Sequence, residues 1–351
     1  MSNKLLFPFL YLTLFVGCAK ENPQLSAACE LMSNGTYLLK WETFPPIEGT
    51  VKVYESVRPD SFDLSSPVFE QDIQRGYKSV LAIPGVQRTY FKLVFNKKYS
   101  IIAAERAIPT QGIFNLRDLG GYYTKEGKQI QWGKLYRSGS LAMATGYDRS
   151  ILTKLGIETI IDLRTEKESY YYPNKFNAPH IYNLPLRGNG HNSFFEEILS
   201  HKMKLADILE YDRDVFSFIL ENNTDYFIKM FDILLDEKNY PVTIYCFLGK
   251  DRTAIASALI LAALDVDDET IAEDYLLSNE LIDYHALVRD ADAFTIDIQK
   301  AITALYSAHT ETIRYSSELI KANYGSMDNY LEKELLLTHK KREKLKSLLL
   351  Y

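Results

Sequence analysis

The segment YCFLGKDRTAIASALIL, from Tyr245 to Leu261, places reactive and charged side chains between an apolar strand-like run and a helix-like run. Cys246 and Arg252 stand six positions apart, with Gly249 between them. A loop of this kind can turn successive backbone N–H groups inward, and the N-terminus of the following helix adds positive potential. It could hold a phosphate-sized anion, two oxygens of which the planar guanidinium of Arg252 can bind. The same positive field favours the thiolate form of Cys246, which is a nucleophile.

The other residues of the loop fit the same chemistry. The backbone N–H groups of Phe247 and Leu248 would face the anion, and Gly249 leaves room for a close approach of the backbone. Lys250 adds positive charge. The hydroxyl of Thr253 could bond the cysteine sulfur and help it leave when an intermediate breaks down. We therefore predict a covalent, anion-binding site at this loop.

Composition and motifs argue against several other kinds of site. The chain has 351 residues and a formal net charge of −6 without a long basic run, so its overall field does not favour DNA or RNA. The loop lacks the glycine-rich lead and the Lys-Ser or Lys-Thr pair of a Walker-type nucleotide loop. The six histidines are scattered, and no cysteine pair stands at the spacing of metal ligands. We expect no nucleic-acid partner, no metal and no cofactor.

The elements around the loop predict an α/β domain. From Phe114 onward, strand-like runs alternate with helical periodicity, which is typical of a mainly parallel sheet flanked by helices. The predicted strands are KLYRSG, ETIIDLR, HIYNLPL and PVTIYC, and the predicted helices are GYDRSILTKLG and the run from Thr253 to Leu264. The region from Asn192 to Leu235 is mostly helical and could form a lid. After Asp267 the chain is helical and should end in a packed terminal helix, THKKREKLKSLLLY.

The segment before this domain has the pattern of short strands. TYLLKWETF and GTVKVYES alternate apolar and polar side chains, and TYFKLVF and YSIIAAERAI follow. A tryptophan-bearing strand followed by a tyrosine-bearing one resembles a small all-β sandwich of the fibronectin type III kind. We predict this β-sandwich domain over 19–108, more simply a spacer than a binding module. The α/β domain would cover 109–351, with the boundary near AIPTQG.

The first residues predict where the protein works. An apolar run from Leu5 to Val16 is short for a membrane span and is followed by VGCAKENP. The segment 1–18 resembles a bacterial lipoprotein signal peptide, in which cleavage precedes Cys18 and this cysteine carries the lipid. An uncleaved apolar anchor helix is the alternative. In both cases the rest of the protein would be extracytoplasmic and held at a bacterial membrane. Cys29 and Cys246 lie in different predicted domains, so we do not expect them to form a disulfide.

The complete loop, CFLGKDRT, resembles the signature of the cysteine-dependent protein tyrosine phosphatases, in the bacterial branch whose loop reads H-C-x-x-G-K-D-R-T. That branch also carries an upstream N-F-R-D-L-G-G motif, which FNLRDLGGY from Phe114 to Tyr122 resembles. Further similar segments, in the family's order, are LYRSGSL, LGIETIIDLRTEKE, YLLSNE and YGSMDNYLEKELLLT. The resemblance extends from about Gln111 to the end of the chain. Two residues depart from it, since Tyr245 replaces a histidine and Ala254 a common glycine.

The resemblance implies a role for each residue of the loop. Cys246 would be the nucleophile, Arg252 the phosphate clamp and Thr253 the hydroxyl that aids hydrolysis. Lys250 would contact the substrate phosphate or a second anionic group. Asp251 would be the general acid that protonates the leaving oxygen.

Polar residues outside the loop have two interpretations each. Asp162, in IIDLR, is an alternative general acid or a strand-end carboxylate that bonds backbone N–H groups. The polar residues of FNLRDLGGY organise the floor of the site or form a purely structural network; they are Asn115, Arg117 and Asp118. Arg137 and Arg164 line the phosphate entrance or pair with acidic residues nearby.

The implied function is phosphomonoester hydrolysis through a cysteinyl-phosphate intermediate. A phosphotyrosyl protein leads as substrate, while dual or phosphoinositide specificity and other phosphomonoesters stay open, because the loop lysine and aspartate resemble those of phosphoinositide-directed relatives. The alternative is a non-catalytic surface protein that binds phosphorylated ligands. Sulfur transfer fits poorly, since that chemistry does not need the Asp-Arg-Thr ending of the loop.

Overall fold

The computed structural model of the chain describes residues 22–83, 88–187, 198, 205–288 and 293–351, so the predicted signal peptide and Cys18 lie outside the described residues. The strands are β1 Gln24–Leu31, β2 Thr36–Phe44, β3 Thr50–Ser56, β4 Phe69–Asp72, β5 Tyr77–Leu81, β6 Tyr90–Phe95, β7 Tyr99–Ala104, β8 Arg117–Asp118, β9 Leu135–Ser138, β10 Thr159–Asp162, β11 His180–Asn183 and β12 Val242–Tyr245. The helices are α1 Gly146–Lys154, α2 Glu166–Tyr171, α3 Leu205–Asn222, α4 Thr224–Leu234, α5 Asp251–Ala263, α6 Asp268–Leu276, α7 Ser278–Leu281, α8 Tyr284–Leu287, α9 Ile296–Tyr306, α10 Thr310–Tyr324, α11 Met327–Asn329 and α12 His339–Leu349, with a π-helical turn at Tyr330–Glu334.

The strands β1 to β7 form two antiparallel sheets in the N-terminal part of the chain. Their orders are β1-β2-β5 and β4-β3-β6-β7. Alternate side chains of these strands enter a common core, in which Leu39, Trp41, Phe91 and Leu93 are buried. The indole N–H of Trp41 donates to the carbonyl of Ile73 at 2.8 Å. The predicted β-rich region is therefore confirmed.

The rest of the chain is built on a five-stranded sheet in the order β11-β10-β12-β9-β8. Four strands run parallel, and β8 is antiparallel at one edge. The four predicted strands all form, and β9, β10 and β12 are buried along their whole length, as helices on both faces of a parallel sheet require. Because β12 is the central strand, the loop that follows it lies in the middle of the row formed by the carboxyl ends of the parallel strands.

Helices cover this sheet. α5 is almost wholly buried because apolar residues surround its circumference, and it begins two residues before the predicted start at Thr253. α3 and α4 come from the region we predicted as helical, and Ile208, Val215, Phe216 and Phe231 place them in the same core as α5. The remainder of that predicted lid region lies outside the described residues, apart from the buried Ile198.

The helices from α6 to α12 complete the domain. In α12 the side chains of Leu345 and Leu349 are fully buried, so the predicted packing of the terminal helix is confirmed. The backbone N–H of Tyr351 then donates to the carbonyl of Gln129 at 3.0 Å. Within the described ranges, none of the helices has the length and apolar character needed to cross a membrane.

The N-terminal sheets pack directly against the part of the chain that carries the five-stranded sheet. The indole of Trp132 donates to the carbonyl of Ile102 in β7 at 2.8 Å. Gln129 exchanges hydrogen bonds with the N–H and the carbonyl of the same Ile102. Around these bonds lies a small apolar cluster, made of Tyr90, Ile102, Ala104 and Trp132. The N-terminal unit is thus seated on the segment that leads into β9.

Candidate active site

The loop between β12 and α5 holds Cys246 at the middle of the sheet edge. Cys246 follows the last strand residue and is 3% exposed. The loop then turns at Gly249, whose φ of 71° lies in the left-handed region. A Cβ atom at Gly249 would lie 2.4 Å from the carbonyl oxygen of Ser138 at the end of β9. Glycine is required here because both the backbone conformation and the adjacent strand exclude a side chain.

Hydrogen bonds from neighbouring segments fix the orientation of the loop peptides. The carbonyl of Phe247 accepts from the backbone N–H of Ser140 at 2.9 Å. The carbonyl of Gly249 accepts from Nη2 of Arg137 at 2.7 Å and from Nδ2 of Asn115 at 3.0 Å. In a trans peptide the N–H group points away from the carbonyl. The N–H groups that follow these carbonyls therefore point to the opposite side of the loop, as an anion-binding cradle requires.

The residues that hold the loop are in turn held by a buried carboxylate on α6. Asp274 forms ion pairs with Arg117 and Arg137, and all three side chains are almost completely buried. Burial alone would raise the pKa of Asp274, but the two guanidinium groups outweigh it and hold that pKa well below its usual range. Asn115, with φ of 60°, also donates to the hydroxyl of Ser278 at 3.2 Å. Arg137 thus lies beneath the loop, paired with an acidic residue, which is the second of its two predicted interpretations.

Arg252 is oriented by Glu168 of α2. The Nη1 and Nη2 atoms of Arg252 donate to the two carboxylate oxygens at 2.6 and 2.7 Å. Burial opposes ionisation of Glu168, but the hydrogen bonds and charge of Arg252 lower its pKa to about 2. The contact uses two of the five guanidinium N–H donors, so others can face an anion. Sequence reasoning missed Glu168, although the capping box TEKE that begins at Thr165 was visible, and α2 forms it.

Lys250 and Asp251 form a buried ion pair at the start of α5. The Nζ atom of Lys250 lies 2.8 Å from Oδ1 of Asp251 and donates to the carbonyl of Ser307 at 3.2 Å. The two residues are 1% and 8% exposed. Burial alone would lower the pKa of the ammonium group, but Asp251 raises it well above its ordinary value. Lys250 is therefore charged, as we predicted for the loop. Its hydrogen bond to Ser307 joins the loop to the segment after α9.

The remaining loop residues differ in exposure. Thr253 is fully buried, and its hydroxyl makes no hydrogen bond to any residue that the structure describes, so the expected bond to the cysteine sulfur is not formed in this arrangement. Phe247 is 37% exposed and packs edge to face on Tyr172, with ring centroids 5.7 Å apart. Tyr170 and Tyr171 beside it are exposed as well. An aromatic surface thus borders the loop.

The carboxylate of Asp162, the alternative general acid, accepts hydrogen bonds from neighbouring side chains. Both carboxylate oxygens accept from the guanidinium of Arg164 at 2.7 to 3.1 Å, and Oδ2 also accepts from the hydroxyl of Tyr245 at 2.7 Å. Arg164 further donates to the carbonyl of Tyr172 at 2.6 Å. Tyr245, which stands in the place of the family's histidine, thereby links β12 to the end of β10. Arg164 corresponds to its second interpretation, paired with an acidic residue.

Asp118 faces the N-terminal sheets instead of the loop. Its Oδ2 atom accepts from Nη1 of Arg88 and from the backbone N–H of Gly133, each at 2.8 Å, and its Oδ1 atom accepts from the N–H of Gly120 at 2.7 Å. Asp118 is completely buried. Of the three polar residues of FNLRDLGGY, only Asn115 therefore touches the loop itself.

The assembled site can bind an anion next to a nucleophile. Cys246 lies in a loop whose N–H groups and aligned arginine offer positive potential, and Asp251 offers a carboxyl group beside it. In the part of the chain that the structure describes, no cluster of three His, Cys, Asp or Glu residues is suited to a metal ion. Cys29 and Cys246 are both free thiols.

The chain is similar to known phosphatases. The model of the tyrosine phosphatase family matches residues 108–351. A protein of Cupriavidus necator named as a candidate tyrosine-protein phosphatase is 29% identical over 233 residues, which cover 64% of this chain and 82% of that protein. The triple specificity protein phosphatase PtpB of Mycobacterium tuberculosis is 24% identical over 264 residues, which cover 65% of this chain and 93% of that protein.

The similarity to solved structures is weaker. The core catalytic domain of the PP-IP phosphatase SIW14 from S. cerevisiae is 16% identical and aligns over 54% of this chain and 87% of that chain, with a TM-score of 0.27. The family match, in contrast, spans well over half of the chain and includes the loop, its supporting residues and the whole parallel sheet. The chain therefore belongs to the tyrosine phosphatase family and is a protein-tyrosine phosphatase.

Proposed function

We propose that this enzyme hydrolyses phosphomonoesters in two displacements at phosphorus. Cys246 attacks the phosphorus atom, the loop N–H groups and Arg252 stabilise the equatorial oxygens, and Asp251 protonates the departing oxygen. A cysteinyl phosphate results. Water then attacks it after giving a proton to the carboxylate of Asp251, which releases phosphate and restores the thiolate with help from the hydroxyl of Thr253.

The observation that carries this proposal is the network of hydrogen bonds that holds the loop and Arg252. Its carbonyls are bound from outside by Asn115 and Arg137, and Arg252 is aligned by Glu168. A cradle that is already oriented needs little reorganisation in the transition state, and this is where electrostatic catalysis gains most. A protein that only bound phosphate would have no use for Cys246 at the centre of such a cradle.

The hydrogen bonds favour Asp251 over Asp162 as the general acid. The oxygens of Asp162 accept from Arg164 and Tyr245, so a proton on this carboxyl would break charge-assisted bonds. Asp251 instead begins α5 within the loop itself, five positions from Cys246, so its carboxyl group lies beside the site.

We propose phosphotyrosine as the preferred substrate. The aromatic surface formed by Phe247 and Tyr172 suits a phenyl ring that carries the phosphate. Dual or phosphoinositide specificity is the second candidate, favoured by the buried ammonium group of Lys250, which adds a second cation to the loop. The relative from Mycobacterium tuberculosis, named a triple specificity phosphatase, is consistent with either candidate.

Phosphate release by a form that begins at residue 19 tests the reaction and its substrate together. Panels of phosphotyrosyl peptide, phosphoseryl peptide, phosphoinositide and inositol phosphate are compared for the wild type and Cys246→Ser. We expect turnover to fall to background in Cys246→Ser, while Cys29→Ser, in the half-buried strand β1, keeps the wild-type rate. Asp251→Asn should lose about 10²- to 10⁴-fold on phosphotyrosyl peptide but much less on para-nitrophenyl phosphate, whose leaving group needs no proton.

The rival function predicts a different result. A non-catalytic protein that binds phosphorylated ligands would bind vanadate or phosphotyrosyl peptide without Cys246-dependent turnover on any panel. That outcome would overturn the proposal and would direct attention to Tyr245, the departure from the family's loop.

We also propose that the chain is a lipoprotein with two domains, a fibronectin type III-like sandwich over 19–108 and the catalytic domain over 109–351. The strand orders β1-β2-β5 and β4-β3-β6-β7 support the sandwich, and the signal-like segment before Cys18 supports the lipid. When cells that express the full chain are grown with an alkyne-tagged fatty acid, the protein should carry the tag. The variant Cys18→Ser should carry no tag and should no longer associate with the membrane. A tag retained in Cys18→Ser would contradict lipid attachment at this residue.

A further inference from the structure

The two aromatic rings beside the loop, those of Tyr172 and Phe247, need an explanation for how they are held in place. They pack edge to face, although Tyr172 is 48% and Phe247 37% exposed. Tyr172 follows directly after α2, a helix of six residues, none of which is buried. Such a short helix is not stable by itself, and α2 has no buried face that would fix it to the core. The place of the Tyr172 ring therefore depends on polar contacts to this segment.

Two arginines make such contacts. Arg252 binds the carboxylate of Glu168 within α2, and this contact belongs to the anion site. Arg164 donates through Nη1 to the backbone carbonyl of Tyr172 at 2.6 Å and takes no part in the proposed displacements at phosphorus. Because this bond lies where the chain leaves α2, it fixes the backbone that carries the Tyr172 ring.

The same nitrogen of Arg164 also reaches the other side of Phe247. Its Nη1 atom donates to the hydroxyl of Ser140 at 3.0 Å. The backbone N–H of Ser140 in turn donates to the carbonyl of Phe247 at 2.9 Å. Ser140 thus holds the backbone of Phe247, while Tyr172 contacts its ring. A single guanidinium group therefore joins two residues that contact Phe247 from different sides.

Arg164 is itself held by the ends of two neighbouring strands. Asp162 and Tyr245 are paired as the last residues of β10 and β12. Nε and Nη2 of Arg164 donate to the carboxylate of Asp162 at 2.7 to 3.1 Å, and Nη2 also donates to the hydroxyl of Tyr245 at 3.2 Å. Arg164 is 2% exposed, and all three nitrogens of its planar guanidinium group have partners. Its position is thus determined by the sheet, and it transmits this position to Tyr172.

We propose that Arg164 is a positioning residue that fixes Tyr172 and Phe247 as the surface on which the aromatic ring of the substrate packs. This inference rests on the proposed reaction and on the proposed preference for phosphotyrosine. The phosphate of any phosphomonoester would meet the same loop, whereas an aryl group gains additional contacts with the two rings. Arg164 therefore acts on the choice of substrate and not on the displacement at phosphorus.

The variant Arg164→Lys tests this role. Lysine keeps a positive charge beside Asp162, but its single ammonium nitrogen cannot replace three guanidinium nitrogens in a plane. KM for phosphotyrosyl peptide should rise about 3- to 10-fold, which is the range of one aromatic contact. kcat should change less than about twofold, because ring packing stabilises the bound substrate and the transition state equally. Ki for inorganic phosphate, which has no ring, should also stay within about twofold of the wild type.

A double-mutant cycle with Tyr172→Leu separates positioning from a general structural effect. Tyr172→Leu removes the ring, keeps the backbone carbonyl and should raise KM by a similar factor. Adding Arg164→Lys to it should raise KM no further, because no ring is left to position. If Arg164 were merely structural, its effect would add to that of Tyr172→Leu, or kcat and the Ki for phosphate would worsen as well. Each of these results would overturn the inference.

Tyr245→Phe is a milder variant that covers the case in which Arg164→Lys does not fold. It removes one hydroxyl from the network and leaves Arg164 paired with Asp162. KM for phosphotyrosyl peptide should rise about twofold. Tyr240→Phe is the matched control, since it removes a buried hydroxyl that donates to the carbonyl of Leu234 at 2.6 Å, before β12 begins, and should leave KM unchanged. Equal KM values for the two variants would contradict the role of this network.

The outcomes also distinguish failure of this inference from failure of the proposed function. An unchanged KM in Tyr172→Leu, with Cys246-dependent turnover intact, would overturn the inference and leave the proposed reaction in place. A raised KM in Tyr172→Leu together with an unchanged KM in Arg164→Lys would overturn the positioning role while keeping the ring contact. No Cys246-dependent turnover in the wild type would overturn both the inference and the proposed function.

Discussion

At the scale of single residues, Glu168 determines where the guanidinium group of Arg252 points. Its carboxylate accepts from the N–H and hydroxyl of Thr165, the N-cap residue of α2, and from two nitrogens of Arg252. An unconstrained arginine has about 2 kcal/mol of rotamer entropy to lose when it binds a ligand. Because Glu168 removes much of that freedom in advance, the helix cap also prepares the anion site.

Glu168→Gln should weaken catalysis by removing charge while keeping the size of the side chain. A hydrogen bond to a charged group contributes about 1.5–3 kcal/mol, so we expect kcat/KM on phosphotyrosyl peptide to fall roughly 10- to 100-fold. Glu166→Gln, on an exposed position of the same helix, should stay within about twofold of the wild type. Equal values for Glu168→Gln and the wild type would mean that Arg252 does not depend on this carboxylate.

The free energy of unfolding of Glu168→Gln should also depend on pH differently from that of the wild type. The folded-state pKa of Glu168, about 2, lies below its ordinary value of 4.5, so the ion pair stabilises the fold above pH 4.5 and loses this contribution as the pH falls toward 2. The free energy of unfolding of the wild type should therefore exceed that of Glu168→Gln at about pH 6 and approach it near about pH 2.5, as measured by urea titration. A constant difference would contradict the assignment.

The residue types of the loop indicated its chemistry from the sequence, as did Asn115 and Arg137 beside it, but the acidic residues that hold the arginines were not predicted. Cys246 and Arg252 are neighbours along the chain, so their types and spacing are enough to indicate the reaction. Glu168 lies 84 positions from Arg252, and Asp274 lies 137 positions from Arg137. Each is a single acidic residue in a chain with 46 of them, and only the folded arrangement distinguishes these two from the others.

At the scale of elements, the order of the parallel strands concentrates the site. β12 pairs with β9 on one side and with β10 on the other. The residues that follow the three strands therefore meet at one edge: Ser140 bonds the loop carbonyl, Arg164 binds Tyr245, and Cys246 lies between them. Alternating strands and helices predict a parallel sheet, but the alternation does not give the order of its strands.

Helical periodicity predicted α3 but not what its buried face would carry. Ile208, Val215 and Phe216 follow the spacing of an amphipathic helix and lie in the core as expected. Asp212 lies between them in sequence and is buried too, which periodicity cannot anticipate because an aspartate is normally assigned to the solvent face. Sequence patterns therefore did not identify the buried acidic residues on the helices around the loop.

At the scale of the whole molecule, buried charges connect the N-terminal sheets to the loop. Arg88 pairs with Asp118, and the adjacent residue, Arg117, pairs with Asp274. Asp274 also pairs with Arg137, which donates to the loop carbonyl. Because every member of this chain of contacts is buried, we expect the N-terminal unit to contribute to the stability of the domain that carries the site.

Arg88→Met should destabilise the protein strongly, because it leaves Asp118 buried without its counter-charge. Loss of one partner of a buried pair costs about 3–5 kcal/mol, which for a chain of this size corresponds to a drop of roughly 4–7 °C in unfolding temperature by calorimetry. Arg58→Met, which breaks the exposed pair with Asp60, is the matched control and should leave the unfolding temperature almost unchanged.

The double variant Arg88→Met with Asp118→Asn distinguishes an orphaned charge from lost packing. If the unpaired carboxylate causes the destabilisation, removing it should restore much of the unfolding temperature, since the amide oxygen that replaces the carboxylate could still accept from the N–H of Gly120 or Gly133. Both parts of the chain should then unfold in one transition, because the apolar cluster around Trp132 and the bonds to Ile102 still join them. Two separate transitions in the wild type, or no difference between Arg88→Met and Arg58→Met, would mean that the N-terminal sheets are attached to the catalytic domain without supporting it.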